Sequence, residues 1–208
     1  MRVIAGSARG RPLFGPSGAQ TRPTSDKVKG ALFSMLESLL ARERPGGAEA
    51  SEKAEPGTPE LWEGLKVLDL YAGTGALGIE ALSRGAAWCD FVEANAAARR
   101  TIQRNLQITD LADRAKVIGV SVEKVIQGAV DQSLQAPYDV VVMDPPYADQ
   151  SVGEVVVGLA NGRMLKPGAL VAVEHSRRLA LADHYNGLSL VRERRHGDTV
   201  LSIYRWQI

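Results

Sequence analysis

From Leu65 onward, short apolar runs alternate with segments whose apolar residues recur every three to four positions. The runs at 66–70, 88–93, 115–120, 138–143 and 169–174 are nearly continuous in apolar residues, the pattern of strands covered on both faces. Between them, 76–84, 95–106, 122–130 and 152–160 carry helical spacing. This alternation predicts an α/β fold, with a mostly parallel sheet and helices on both faces. The end of the chain breaks the pattern. Segments 188–195 and 199–206 flank His196-Gly197-Asp198 and predict an antiparallel hairpin.

Upstream, 2–6 and 9–14 predict a small strand pair joined at Gly6-Ser7. A helix follows over 25–41, with Val28, Leu32, Met35, Leu36 and Leu39 on one apolar face. Thr24, Ser25 or Asp26 caps its start, and Pro23 blocks backward extension. Residues 42–60 have almost no large apolar side chains and are rich in Glu, Gly, Pro and Ala, which predicts a flexible acidic linker or loop. Three parts result: an N-terminal extension at 1–41, the linker at 42–60, and an α/β domain at 61–208.

Composition changes this picture little. The 208 residues hold 25 basic and 24 acidic side chains, a balance that points neither toward nor away from nucleic acid. The single cysteine, Cys89, lies in an apolar run, reads as a small buried hydrophobe, and excludes a disulfide within the chain. No run approaches a membrane span, and the N-terminus is too polar for a secretory signal, so a cytoplasmic protein is expected. His175, His184 and His196 have neither a matching nucleophile nor metal-ligand spacing. They read as structural or surface residues, and no metal is expected.

The chemistry starts at VLDLYAGTGALG, residues 67–78. Gly73, Thr74, Gly75 and Gly78 sit between a strand and a helix in a dinucleotide-like G-x-G-x-x-G spacing. Gly73 and Gly75 permit a tight turn and close ligand approach, and Gly78 permits close helix–strand packing. Glu93 ends the next strand, where an acid can take ribose hydroxyls. Asp69 selects among ligands. A pyrophosphate on this loop would face its carboxylate, and two like charges at about 4 Å cost on the order of 4 kcal/mol at an effective dielectric of 20. S-adenosylmethionine has no phosphate, and its ammonium suits an acid at the strand end.

A second motif, Asp144-Pro145-Pro146-Tyr147, follows the fourth apolar run. The first and fourth strands are expected to be neighbours, so this loop should face the glycine loop. The prolines stiffen the backbone and remove two N–H donors, leaving an acceptor-rich surface for an exocyclic amino group. Tyr147 offers a ring for stacking on a base.

LDLYAGTGALGIEALSRGA together with DPPY resembles the bacterial 16S (small-subunit) rRNA guanine-N2 methyltransferases, as do RVIAGSARGRPL and RPTSDKVKGALFSML. The resemblance spans nearly the whole chain. It implies a class I methyltransferase fold of Rossmann-like type, with a seven-stranded sheet ending in an antiparallel strand. It implies methyl transfer from S-adenosylmethionine to N2 of a guanine in 16S rRNA, within an assembling or assembled small ribosomal subunit. Asp69, Gly73, Thr74, Gly75, Gly78 and Glu93 would then hold the cofactor, and Asp144 to Tyr147 the target base. By the habit of this fold, Ser121 and Val122 would lie near the adenine. Arg22, Pro23 and Thr24 match the family's N-terminal motif. Arg2, Arg9, Arg11, Arg22, Lys27 and Lys29, with Asp26 as the one acid among them, are candidates for RNA phosphates. No oligomer is implied. Competing readings are methylation of adenine N6 or cytosine N4 in DNA or RNA, methylation of a protein glutamine amide, a non-catalytic RNA-binding assembly factor, and a dinucleotide oxidoreductase.

Overall fold

The computed structural model describes residues 1–15, 25–42, 59–129, 133–147 and 149–207. Five parallel strands form one side of the sheet: β1 (Lys66–Leu70), β2 (Trp88–Val92), β3 (Ala115–Ile118), β4 (Tyr138–Met143) and β5 (Leu165–Ser176). Helix α1 (Asp26–Arg42) precedes them. Helices α2 (Ala76–Ser83), α3 (Ala96–Thr109), α4 (Val122–Ile126) and α5 (Val152–Asn161) lie between them in the chain. Strands β6 (His184–Tyr185), β7 (Leu188–His196) and β8 (Thr199–Trp206) complete the sheet, in the order β3-β2-β1-β4-β5-β8-β7-β6. The order reverses between β1 and β4, the crevice where such sheets bind ligands.

The expected alternation holds because β1, β2, β4 and most of β5 are buried on both faces. Val67, Val140, Val142, Leu170 and Ala172 face α1, α2, α3 and the N-terminal segment. Leu68, Leu70, Val141, Met143, Val171 and Val173 face α4 and α5. Strand β8 inserts antiparallel between β5 and β7, so the predicted hairpin closes the sheet.

Two expectations change. The sheet has eight strands rather than seven, because β6 adds two residue pairs to β7 after a turn with Asn186 at φ 51. A strand that short leaves no period in the sequence. The N-terminal strand pair is reduced to a single bridge, Arg2 to Pro12. Around that bridge the amides of Val3 and Leu13 donate to the carbonyls of Arg11 and Met1, each at 3.0 Å, but the backbone beyond turns elsewhere: the amides of Ile4 and Ala5 donate to the Glu80 carboxylate on α2, and that of Ser7 to the Ser83 carbonyl. The fit there is tight. A Cβ on Gly6, whose φ is +80, would lie 1.8 Å from the Ser83 oxygen.

This docking carries a buried charge network. Glu80 meets Lys29 Nζ at 3.1 Å and Arg84 Nε at 2.9 Å, and Arg84 continues to Glu37 at 2.7 Å. Trp62 Nε1 also donates to Glu37. Lys29 is fully buried and donates to the Arg2 carbonyl, so its assignment to RNA phosphates is corrected here. Burial pulls its ammonium below the usual lysine range, against the raising pull of Glu80. The sequence held the signal: Lys29 lies three and four residues before Leu32 and Phe33, on the buried stripe of α1. Residues 1–15 and α1 thus share one core with the sheet. Most of the 42–60 linker, together with Arg22, Pro23 and Thr24, lies outside the described residues. No helix among the described residues is long and apolar enough to cross a membrane.

Candidate active site

The glycine loop leaves β1 through backbone that few residues adopt. Tyr71 (φ 57), Gly73 (φ 55) and Gly75 (φ 78) are all left-handed, and the Gly75 amide closes the turn on the Ala72 carbonyl at 2.7 Å. A Cβ on Gly78 would lie 2.3 Å from Phe91 Cε1, so the third glycine lets α2 lie against β2. At Gly73 a Cβ would meet only the Tyr71 carbonyl, at 3.8 Å, so the loop has an open side there.

Three carboxylates converge on this loop from the ends of β1, β2 and β4. Asp69 is buried, and its Oδ2 accepts the Gly78 amide at 2.9 Å, tying the strand to the first turn of α2. Glu93 is half-buried and braces two backbones: Oε2 accepts from Gly73 at 2.8 Å, and Oε1 from Asn95 at 2.7 Å. Each of its oxygens keeps a lone pair for a further donor. Asp144 is half-buried on the first residue past β4, whose Met143 pairs with Leu70 of β1. The Asp69 carboxyl is pushed up to about 8 by burial first, and then by the negative charges of Asp144 and Glu93, against the lowering effect of the Gly78 amide. With no cation acting on it among the described residues, the Asp69 carboxyl holds its proton at neutral pH more often than not. A positive ligand would draw that proton off, whereas a phosphate would meet Glu93 and Asp144. The donor set and the open side at Gly73 therefore fit S-adenosylmethionine.

The other candidates distribute as follows. Thr74 offers its carbonyl to Asn105 Nδ2 at 2.9 Å. Ser121 is half-buried and precedes α4, while Val122 is in the core with Leu68, Leu70 and Met143. In the second motif, Pro145 is buried, Pro146 is exposed, and Tyr147 is 44% exposed with its hydroxyl 2.7 Å from Thr199 Oγ1. Arg2, Arg9, Arg11 and Lys27 are exposed. Arg2 lies 3.6 Å from Asp26, and Arg11 Nη1 donates to the Ile108 carbonyl. His175 is buried between the Ser176 carbonyl and the Ser202 hydroxyl, and burial lowers its pKa.

Sequence reasoning missed two groups. Asn105 on α3 is fully buried and clasps both the amide and the carbonyl of Phe14 while donating to Thr74, which joins the N-terminal segment to the glycine loop. It lies on the stripe Ile102, Asn105, Leu106 and Thr109, so a polar residue at an apolar position was the available signal. Thr199 and Glu174 approach Tyr147 from β8 and β5, and no local pattern links them.

The family model described as "Conserved hypothetical protein 95" matches residues 1–205. The chain belongs to that family. A Bacillus subtilis protein named "Putative rRNA methyltransferase YlbH" is 32% identical over 205 residues, covering 99% of this chain and 98% of that protein. "Ribosomal RNA small subunit methyltransferase D" of Haemophilus influenzae is 29% identical, covering 99% of this chain and 93% of its own length. Among solved structures, that named "Putative methyltransferase yhhF from Escherichia coli" superposes with a TM-score of 0.75 at 28% identity, covering 100% of this chain and 98% of that one. The fold is that of the class I methyltransferases, and the chain is a methyltransferase.

Proposed function

We propose that this methyltransferase transfers the methyl group of S-adenosylmethionine to the exocyclic N2 of a guanine in 16S rRNA, in the cytoplasm, on an assembling or assembled small ribosomal subunit. The observation that carries the reading is the placement of Asp144-Pro145-Pro146-Tyr147 beside the glycine loop, through the Leu70–Met143 register of β1 and β4. The relatives' names support the rRNA acceptor.

S-adenosylmethionine, when bound, supplies an electrophilic methyl group on a sulfonium. Glu93, already fixed by the amides of Gly73 and Asn95, has lone pairs for two ribose hydroxyls. Glu93 and Asp144 keep the surroundings negative, and Asp69 can give up its proton to a cation, so a cationic ligand is favoured. Ser121 and Val122, at the start of α4, line the adenine end. An aryl amine is a poor nucleophile because its lone pair is delocalised into the ring. Asp144 and the loop carbonyls accept its N–H groups and turn the lone pair toward the methyl, while Pro145 and Pro146 present no competing donors. Tyr147 stacks on the base. Asp144 assists the departing proton electrostatically, and most of the rate comes from alignment. The exposed Arg2, Arg9, Arg11 and Lys27, with Arg22, meet RNA phosphates.

The deciding experiment incubates the protein with labelled S-adenosylmethionine and small subunits lacking the modification, then identifies the labelled nucleoside by mass spectrometry. N2-methylguanosine in 16S rRNA is the expected product. Label on adenine or cytosine, or on a protein amide, would move the acceptor to one of the competing amino groups.

A further inference from the structure

A base-stacking ring on an exposed loop has a problem. Left free, it turns about two torsions and must be ordered each time a base arrives, which costs binding free energy. Tyr147 does not turn freely. Its hydroxyl lies 2.7 Å from Thr199 Oγ1 and 3.4 Å from Glu174 Oε1. With the tyrosine proton directed at the carboxylate, Thr199 donates the shorter bond. Thr199 and Glu174 are themselves nearly or fully buried, at 9% and 3% exposure, whereas Tyr147 is 44% exposed. Thr199 opens β8, opposite Ser176 of β5 and His196 of β7, so the backbone that carries its Oγ1 is paired on both sides. The loop that carries the ring is thus anchored to the antiparallel edge of the sheet, 52 residues downstream.

We propose that Thr199, with Glu174 behind it, is a positioning residue: it fixes the plane of the Tyr147 ring before the base enters. The inference rests on the reading of Tyr147 as a base contact. The acceptor base, not the cofactor, senses this bond.

The test is a double-mutant cycle in the full-length protein, with small subunits lacking the modification as substrate. Thr199→Val keeps the β-branched shape and removes the hydroxyl, Thr199→Ser keeps the hydroxyl, and Tyr147→Phe removes the other end of the bond. Thr199→Val is expected to lower kcat/KM for the RNA by about 3- to 10-fold, the worth of one hydrogen bond, with cofactor Kd unchanged. Thr199→Ser is expected to restore it, and Thr199→Val to add nothing in the Tyr147→Phe background. Equal losses from Thr199→Val in both backgrounds, a matching loss in cofactor affinity, or no loss at all overturns the positioning role while the base contact stands. A separate variant, Tyr147→Ala, guards the premise. If it transfers methyl groups as fast as the parent at every RNA concentration, the base contact itself is wrong and the positioning role goes with it.

Discussion

Replacing Asp69 with Asn tests the electrostatics of the glycine loop through stability, without reference to catalysis. The amide has the same shape, and its carbonyl can still accept the Gly78 amide. What it lacks is an ionisation. In the folded protein the Asp69 carboxyl titrates near 8, against 3.8 for the ordinary group. Between those values the native chain holds a proton that the unfolded chain has lost. The contribution of this group to stability is therefore fully present below about pH 4 and is lost as pH rises toward 8, by about 1.4 kcal/mol per pH unit. Asp69→Asn removes that loss. Its stability relative to the parent should rise with pH, by roughly 3 kcal/mol between pH 5 and pH 7. Urea unfolding of both proteins at pH 5, 6, 7 and 8, without cofactor, reads the difference directly. Parallel stability curves would refute the reasoning, because they would mean that Asp69 ionises in the fold as it does in the open chain. The same proton should leave when a cation binds. Calorimetric enthalpies of S-adenosylmethionine binding at pH 7 should thus vary with the buffer's ionisation enthalpy in the parent and not in the variant.

Three further outcomes are expected. Glu93→Ala removes a carboxylate that holds the Gly73 and Asn95 amides and should weaken cofactor affinity by tens of fold, since hydrogen bonds to charged groups contribute about 1.5–3 kcal/mol each; unchanged affinity in a binding titration would move the ribose site elsewhere. Asp144→Ala should lower single-turnover methyl transfer at least tenfold more than it lowers cofactor affinity, and equal losses would remove Asp144 from the amino group. Lys29→Ala leaves Glu80 buried with one partner fewer and should destabilise the fold by about 3–5 kcal/mol, leaving the salt dependence of RNA binding untouched. Arg9→Ala combined with Arg11→Ala should do the reverse, reducing that salt slope by about 2 at little cost in melting temperature.

What the sequence made legible is what is local. The five apolar runs, the glycines between strand and helix, and the acid after the next run each report a neighbourhood of a few residues. The parallel sheet follows from them by general rules of connection. The reversal at β1 and β4 was legible for the same reason, and with it the facing of the two motifs. Lys29 was misread because its charge suggested solvent, although its spacing from Leu32 and Phe33 assigned it to the buried stripe. The protonation of Asp69 was not legible, since it depends on burial and on two acids 24 and 75 residues away in the chain. The Thr199–Tyr147 contact was hidden more deeply. It arises from antiparallel pairing of β5 with β8, which brings together residues whose sequence surroundings have nothing in common.

The docking of the N-terminal segment on α2 has a consequence for the order in which the chain assembles. The amides of Ile4 and Ala5 find their acceptor in a carboxylate made 76 and 75 residues later, and Phe14 finds Asn105 only after 91. Helix α1 meets the same segment sooner, through Asp26 and Lys29 at Arg2. The bonds to Glu80 and Asn105 can form only once α2 and α3 are present. This docking reaches the glycine loop through Asn105, whose side chain holds both Phe14 and the Thr74 carbonyl. The N-terminal segment and the glycine loop thus share one side chain, so disturbing either end of the clasp reaches the other.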